Sequence, residues 1–345
     1  MGTKLKGLAN SRGIEASELS GKVIAIDAFN FLYQFLTIIR QYDGTPLMDS
    51  KGRITSHLSG LFFRTANFLE LGIKPVYVFD GKSHDLKKSE KERRSRVKEE
   101  AERKLKEARE EEREEDYLKY SMRTARLDSE MIEQSKRLLG LMGVPFVEAP
   151  SEGEAQAACL VRRGMAFAVA SEDYDALLFG AERLVRNLSF SGRKKLPGRL
   201  AYLKVKPEMI ELSKTLSGLG ISQDQLIALA MLSGTDFNQK GIPGIGPKKA
   251  LKLVKEHGED FEGLFSSVSW SSHFEFSWEE VFRLIKGMEC KEVEEINFSG
   301  VENRALTKFL CDEFEFKRER IENKINELSK KAGERDQSGL GRWMK

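Results

Sequence analysis

Val23-Ile24-Ala25-Ile26-Asp27 and Val76-Tyr77-Val78-Phe79-Asp80 share one pattern, four apolar residues of mostly β-forming type closed by an aspartate. A short run with no polar alternation is the mark of a strand buried on both faces, as in a parallel sheet. Two further runs, Val144-Pro145-Phe146-Val147 and Ala166-Phe167-Ala168-Val169-Ala170, extend the series. Between them lie helical patterns: one through Leu58, Leu61, Phe62, Leu69 and Leu71, one over Ser129 to Met142 and one over Pro150 to Arg163. Alternation of this kind predicts βαβ units. The fold class expected is α/β: a mostly parallel twisted sheet with helices on both faces. Right-handed crossovers then bring all strand carboxyl ends to one edge.

The chain has 345 residues, enough for about two cores or one large α/β unit at roughly 150 residues per domain. With 29 Gly and 8 Pro it is not a low-complexity chain. Lys and Arg number 57 against 54 Asp and Glu, so any affinity for nucleic acid must come from local segregation of charge. Cys159, Cys290 and Cys311 form no CxxC pair and no even disulfide set, which predicts a reducing compartment; the four histidines lack zinc-ligand spacing. No apolar run approaches a membrane span, and Met1 to Lys6 shows neither a signal core nor a myristoylation motif, so a soluble, unanchored protein is expected.

From Lys82 to Asp116, 26 of 35 residues are charged. Positions 82–98 hold eight basic and three acidic residues, and 99–116 hold five basic and ten acidic. Glu90/Arg94, Glu92/Arg96, Glu99/Arg103, Glu100/Lys104 and Glu102/Lys106 are acid-before-base pairs four apart, the favourable order on a helix. A helix that is barely buried is predicted. The C-terminal third reads as helices at Asp224 to Leu232, Pro247 to His257, Trp278 to Ile285, Glu302 to Cys311 and Arg318 to Lys331, then an exposed tail.

Ligands in open α/β sheets bind outside the strand carboxyl ends, so Asp27, Asp80, Asp173 and Asp175 should converge there. Pro150-Ser151-Glu152-Gly153-Glu154 has a helix-start pattern that adds Glu152 and Glu154 to the same edge. Acids at a helix N-terminus complement its macrodipole, which accounts for Glu152 or Glu154 singly. It does not account for six together. Two carboxylates ~4 Å apart repel by about 4 kcal/mol at an effective dielectric near 20, so the set needs a counterion. Hard oxygen donors point to Mg²⁺ or Mn²⁺, and two such ions in an acidic cluster suit in-line phosphodiester hydrolysis.

Gly241-Ile242-Pro243-Gly244-Ile245-Gly246-Pro247-Lys248-Lys249-Ala250 is a poor dinucleotide fingerprint, since no strand precedes it, and a good helix-hairpin-helix turn. Gly244 and Gly246 let the backbone approach a phosphate, Pro247 suits a first helical turn, and Lys248 and Lys249 flank the free N–H groups. A tight interhelical turn is the alternative. Such a site would confer no sequence specificity.

These residues together resemble the flap endonucleases, structure-specific 5′ nucleases of replication and repair, especially the archaeal ones. The resemblance runs from Met1 to Lys345 and is carried by Ile26-Asp27-Ala28, Tyr33-Gln34-Phe35-Leu36, Thr55-Ser56-His57-Leu58, Gly72-Ile73-Lys74-Pro75-Val76-Tyr77-Val78-Phe79-Asp80-Gly81, Ala149-Pro150-Ser151-Glu152-Gly153-Glu154-Ala155, Asp173-Tyr174-Asp175 and Gly244-Ile245-Gly246-Pro247-Lys248. It implies two Mg²⁺ ions, with Mn²⁺ as a substitute, held by Asp27, Asp80, Glu152, Glu154, Asp173, Asp175 and Asp236. Strand position alone does not place Asp236; the resemblance puts it with Asp173 and Asp175. Lys87 and Arg94 are implied near the scissile phosphate. Tyr33 is implied to stack on the adjacent nucleotide, where the residues alone read as a core aromatic.

By the same resemblance, 81–130 is a helical arch that threads a single-stranded 5′ flap, and 222–258 is a helix-hairpin-helix region that holds duplex DNA with a monovalent cation. Residues 1–332 form one nuclease unit. The tail 333–345 resembles a sliding-clamp peptide through Gln337, Leu340, Trp343 and Met344, with Met344 in place of a second aromatic. The implied partners are branched duplex DNA with a 5′ flap and a sliding clamp, with no membrane. The implied protein is a monomer, cytoplasmic and nucleoid-associated in an archaeal-type cell or nuclear in a eukaryote. Lys4-Leu5-Lys6 departs from the family's apolar start, so no role is assigned to Gly2. A single-strand ribonuclease would have no use for the helix-hairpin-helix, and a bubble-cutting relative needs more than the 71 residues between Asp80 and Glu152. A non-catalytic scaffold would have lost acids.

Overall fold

The computed structural model describes residues 5, 7–82, 84–87, 96–97, 99–101, 103–104, 124, 126–188, 193–195, 202–204 and 206–340. Its strands are β1 (Ser11–Gly13), β2 (Val23–Asp27), β3 (Lys74–Phe79), β4 (Phe146–Glu148), β5 (Ala168–Ala170), β6 (Arg183–Arg186), β7 (Arg193–Lys195), β8 (Tyr202–Lys204) and β9 (Glu208–Glu211). Seven of them form one sheet in the order β1-β9-β6-β5-β2-β3-β4. The five from β6 to β4 are parallel, and β9 and β1 add antiparallel strands at one edge. Chain order moves outward from β2 to β3 and β4, then returns to β5 on the other side. The crevice between β2 and β5 is therefore the switch point where α/β sheets bind ligands.

The helices are α1 (Ala28–Ile38), α2 (Ser56–Glu70), α3 (Ser129–Leu141), α4 (Gly153–Arg162), α5 (Asp175–Leu178), α6 (Leu212–Leu219), α7 (Gln223–Ser233), α8 (Pro247–His257), α9 (Phe261–Ser267), α10 (Trp278–Lys286), α11 (Asn303–Thr307) and α12 (Arg318–Leu340). Successive strand residues point to opposite faces, so each strand feeds two cores. Ala25, Val76, Val78, Val169 and Leu184 pack under α4 and α7 to α10, while Ile24, Ile26, Tyr77, Phe79 and Ala170 pack under α1, α2, α3 and α12. Both cores reach essentially zero exposure, which explains why the strands read as unbroken apolar runs.

The expected strands at 144 and 166 each begin two residues later. The Val144 N–H still bonds the Leu139 carbonyl and the Ala166 N–H the Leu160 carbonyl, so both residues close the preceding helix before the strand can start. Helix α12 continues past Lys331 to Leu340: Gly333 and Gly339 are poor helix formers, but no proline interrupts the stretch. Among the described residues no helix is long and apolar enough to cross a membrane.

The expectation that the three cysteines form no disulfide is overturned. Cys159 on α4 and Cys290 are joined by a disulfide, with Cα atoms 6.5 Å apart, and Cys311 alone is a free thiol. Residues 288–302 carry no regular structure; they meet α4 at Cys290 and Lys291, and the Ser299 and Glu302 N–H groups donate to the Gly143 and Leu141 carbonyls at the end of α3. The buried Gln156 amide holds this strap, donating to the Lys291 carbonyl at 3.0 Å and accepting from its N–H at 2.6 Å. Cys290 is thereby set against Cys159. A sequence separation of 131 hides the pairing.

Candidate active site

Asp27 ends β2 and also starts α1, where its Oδ1 accepts from the Asn30 N–H at 3.0 Å. It is 8 % exposed. Asp80 follows β3 directly, and its Oδ1 accepts from the Gly153 N–H at 2.7 Å. A Cβ at Gly153 would stand 2.6 Å from that oxygen, so only glycine lets α4 begin this close. Glu152 occupies the N-cap of α4 without a side-chain capping bond. Its Oε2 accepts instead from Lys87 Nζ at 2.5 Å, so helix capping does not explain it. Glu154, two residues on in the first turn of α4, accepts from Ser171 Oγ at 2.8 Å. Asp173 accepts from Asn30 Nδ2 at 3.4 Å, and Asp175 opens α5.

Asp236 comes from a different construction. Gly234, at φ 101°, ends α7 and turns the chain, and Thr235 Oγ1 donates to Asn238 Oδ1 at 2.7 Å inside the turn that follows. This carries Asp236 Oδ2 to 3.7 Å from Lys87 Nζ. Lys87 ends a short 3₁₀ turn at 85–87, with its ammonium 4.9 Å from the centre of the Phe237 ring.

The electrostatics show that these acids face one another. Burial, then Asp80, push the Asp27 carboxyl up to about 8, with Asp173 adding to the effect and the Asn30 N–H and Lys87 opposing it. Burial, then Asp175, Asp27 and Asp173, raise Glu154 well above the usual carboxylate range. Burial works against the charge on Lys87, but Glu152, Asp236 and Asp175 outweigh it and hold its ammonium above the ordinary lysine value. Among the described residues, Lys87 is the cation that faces Glu152, Asp236, Asp175 and Asp27. The donor set is all oxygen, and its mutual repulsion is the kind that a divalent cation relieves. Among the described residues no three of the acids close on a single point as they stand.

The glycine loop lies further along the chain. Ile242 and Ile245 are buried and anchor it, and the Ile242 N–H bonds the Leu232 carbonyl at 2.9 Å. Gly241, at φ 62°, must be glycine: a Cβ there would lie 2.3 Å from the Leu232 carbonyl. A Cβ at Gly244 or Gly246 would meet nothing within 4 Å, so the start of α8 is open. Gly246 caps α8 without a side chain, Pro247 opens it, and Lys248 and Lys249 are exposed beside a hollow of roughly 490 Å³. Ser233 Oγ, at the end of α7, is buried without a hydrogen-bond partner among the described residues.

Tyr33 is 39 % exposed on α1, so the core reading does not hold for it. Arg94, Trp343 and Met344 lie outside the described residues, as do most of residues 88–125; Gln337 and Leu340 fall on α12 with undescribed side chains. The pieces at 96–97, 99–101 and 103–104 are helical, and Lys104 Nζ meets Glu100 at 2.6 Å as the four-residue spacing requires. Asn30, Ser171 and Phe237 touch the acids or Lys87 and were missed. Asn30 alone carried a signal, standing three residues after an aspartate at a strand-to-helix junction.

The XPG N-terminal domain family matches residues 3–101 and the XPG I-region matches 143–236, together more than half the chain. Flap endonuclease 1 of Saccharolobus solfataricus is 48 % identical over 96 % of this chain and 97 % of its own. Flap endonuclease 1 of Pyrococcus furiosus is 47 % identical over the full length of both. The solved structure of flap endonuclease-1 from Methanococcus jannaschii superposes with a TM-score of 0.72 at 39 % identity, covering 97 % of this chain and all of that one. The chain is therefore a member of the flap endonuclease family of XPG-type DNA nucleases.

Proposed function

We propose that this protein hydrolyses the phosphodiester at the junction of a single-stranded 5′ flap and duplex DNA, using two divalent ions, in replication and repair. The observation that carries the reading is that carboxylates from the ends of β2 and β3, the start of α4, the β5–α5 turn and the turn after α7 face one another, with Lys87 against Glu152, Asp236, Asp175 and Asp27. Asp27, Asp80, Glu152 and Glu154 would hold one ion and Asp173, Asp175 and Asp236 the other. Such ions supply a nucleophilic hydroxide and neutralise charge on the attacking and leaving oxygens.

The chain's own residues do the rest. Lys87 brings a fixed positive charge to the edge where the scissile phosphate would lie, at the base of the charge-polarised segment. Exposed Tyr33 offers a ring face for a base. The open start of α8, with Lys248 and Lys249, holds a duplex phosphate away from the reacting bond. The orphaned Ser233 hydroxyl beside that loop fits a monovalent cation.

The test is cleavage of a labelled double-flap substrate with and without Mg²⁺, beside a plain single strand. Cleavage at the flap junction that needs metal is expected, and Asp173→Ala should abolish it while leaving DNA binding largely intact. Metal-independent cleavage, or near wild-type turnover by Asp173→Ala, would overturn the reading.

A further inference from the structure

Ser171 follows β5, two residues before Asp173, and is 2 % exposed. Its hydroxyl donates to Glu154 Oε1 at 2.8 Å and accepts from the Asp173 N–H at 3.2 Å. The two bonds differ in kind. The second is local, the i to i+2 turn that serine commonly makes. The first reaches a carboxylate 17 residues away on another element, α4. A hydroxyl has one proton to donate, and this one goes to a buried acid whose neighbours are themselves acids. The oxygen therefore links the element carrying Glu154 to the turn carrying Asp173 and Asp175.

We propose that Ser171 is a positioning residue for metal uptake: it fixes Glu154 Oε1 and the Asp173 main chain relative to each other, so that ligands on two separate elements are ordered before an ion arrives. This rests on the two-metal reading above. Ligating carboxylates depend on such partners for orientation, and loss of one typically costs 10–100-fold in metal affinity or activity.

The experiment compares Ser171→Thr with Ser171→Val, side chains of nearly the same shape that differ by the hydroxyl. Mn²⁺ binding to the DNA-free protein is measured by calorimetry, and melting of the metal-free form is recorded for each variant. The threonine variant should bind Mn²⁺ within about twofold of wild type and the valine variant about tenfold or more weaker. In cleavage assays the Mg²⁺ midpoint of the valine variant should rise by a similar factor. Equal Mn²⁺ affinity in the two variants overturns the inference, as does a loss in both alike. Should valine prevent folding, Ser171→Ala against wild type reads the same difference. Wild-type protein that takes up no Mn²⁺ overturns the two-metal reading itself, a result distinct from equal binding by the variants.

Discussion

Lys87 Nζ donates to Glu152 Oε2 at 2.5 Å, joining the base of the charge-polarised segment to the first turn of α4. The same ammonium lies 3.7 Å from Asp236, so one side chain spans acids drawn from two distant parts of the chain. Its side chain is 18 % exposed and its charge is strongly held. A cation placed so is fixed before substrate arrives and needs no reorganisation when negative charge develops on a phosphate.

Lys87→Ala should therefore lower the single-turnover cleavage rate by about 100-fold or more while changing flap affinity by less than about threefold. Quench-flow under enzyme excess gives the first number and fluorescence anisotropy the second. A comparable loss in both would make Lys87 a binding residue.

The raised carboxyl of Asp27 sets a pH dependence. A buried acid whose folded pKa is about 8, against an ordinary 3.8, binds its proton more tightly in the native state. Metal-free stability should then fall as pH rises from about 4 towards 8, with a slope of up to about 1.4 kcal/mol per unit. Divalent ions oppose this by compensating the charged form. Melting in EDTA should be lower at pH 9 than at pH 6, and Mg²⁺ should raise the melting temperature more at pH 9. Equal Mg²⁺ effects at the two pH values would contradict the cluster's electrostatics.

Much of this site was legible because its acids end strands whose apolar runs have no other explanation. Asp27, Asp80 and Asp173 follow from that pattern, and α8 begins at Pro247 as the proline requires. Asp236 was not placed, because a turn after α7 and not a strand delivers it. Strands β6 and β9 escaped too: Arg183–Arg186 and Glu208–Glu211 are four-residue segments with charged ends, and it is their pairing with each other and with β5 and β1 that makes them strands. The Cys159–Cys290 bond was hidden for a related reason. It depends on the path of an irregular strap, which no local periodicity encodes.

The glycine loop should report on duplex binding alone. Gly246 leaves the first N–H groups of α8 uncapped by any side chain, with Lys248 and Lys249 exposed beside them. Lys248→Ala with Lys249→Ala should weaken duplex binding and reduce the slope of log K against log salt by about 0.9 for each phosphate that the loop no longer neutralises. The cleavage rate at saturating enzyme should change little. An unaltered slope would remove this loop from the interface.

The disulfide closes a loop across 131 residues and fastens the strap at 288–302 to α4. Cross-links of that span constrain the unfolded chain strongly. Reduction with a phosphine should lower the melting temperature by at least several degrees. Cys290→Ser should melt where the reduced wild type does and be insensitive to reductant. Alkylation of Cys159 and Cys290 in unreduced protein would show that the thiols are not joined.

We propose that the C-terminal residues dock on a sliding clamp, independently of cleavage. Helix α12 carries the backbone to Leu340, placing Gln337 and Leu340 within its last turn, and Trp343 follows three positions later. A spacing of three sets Leu340 and Trp343 on one face if the turn continues, the arrangement by which a short helix inserts two apolar anchors into a groove. In a polar, glycine-containing stretch a tryptophan gains little unless a partner buries it. Met344 fills the place of a second aromatic with a smaller, more flexible side chain and should weaken the contact. None of the seven acids, nor Lys87, lies within these residues. Deleting 337–345 should leave cleavage of a small flap substrate unchanged and abolish its stimulation by the cognate sliding clamp. Calorimetry with the purified clamp checks the cause: the full chain should bind and the truncated chain should not, and equal binding by both would place the clamp contact elsewhere on the protein.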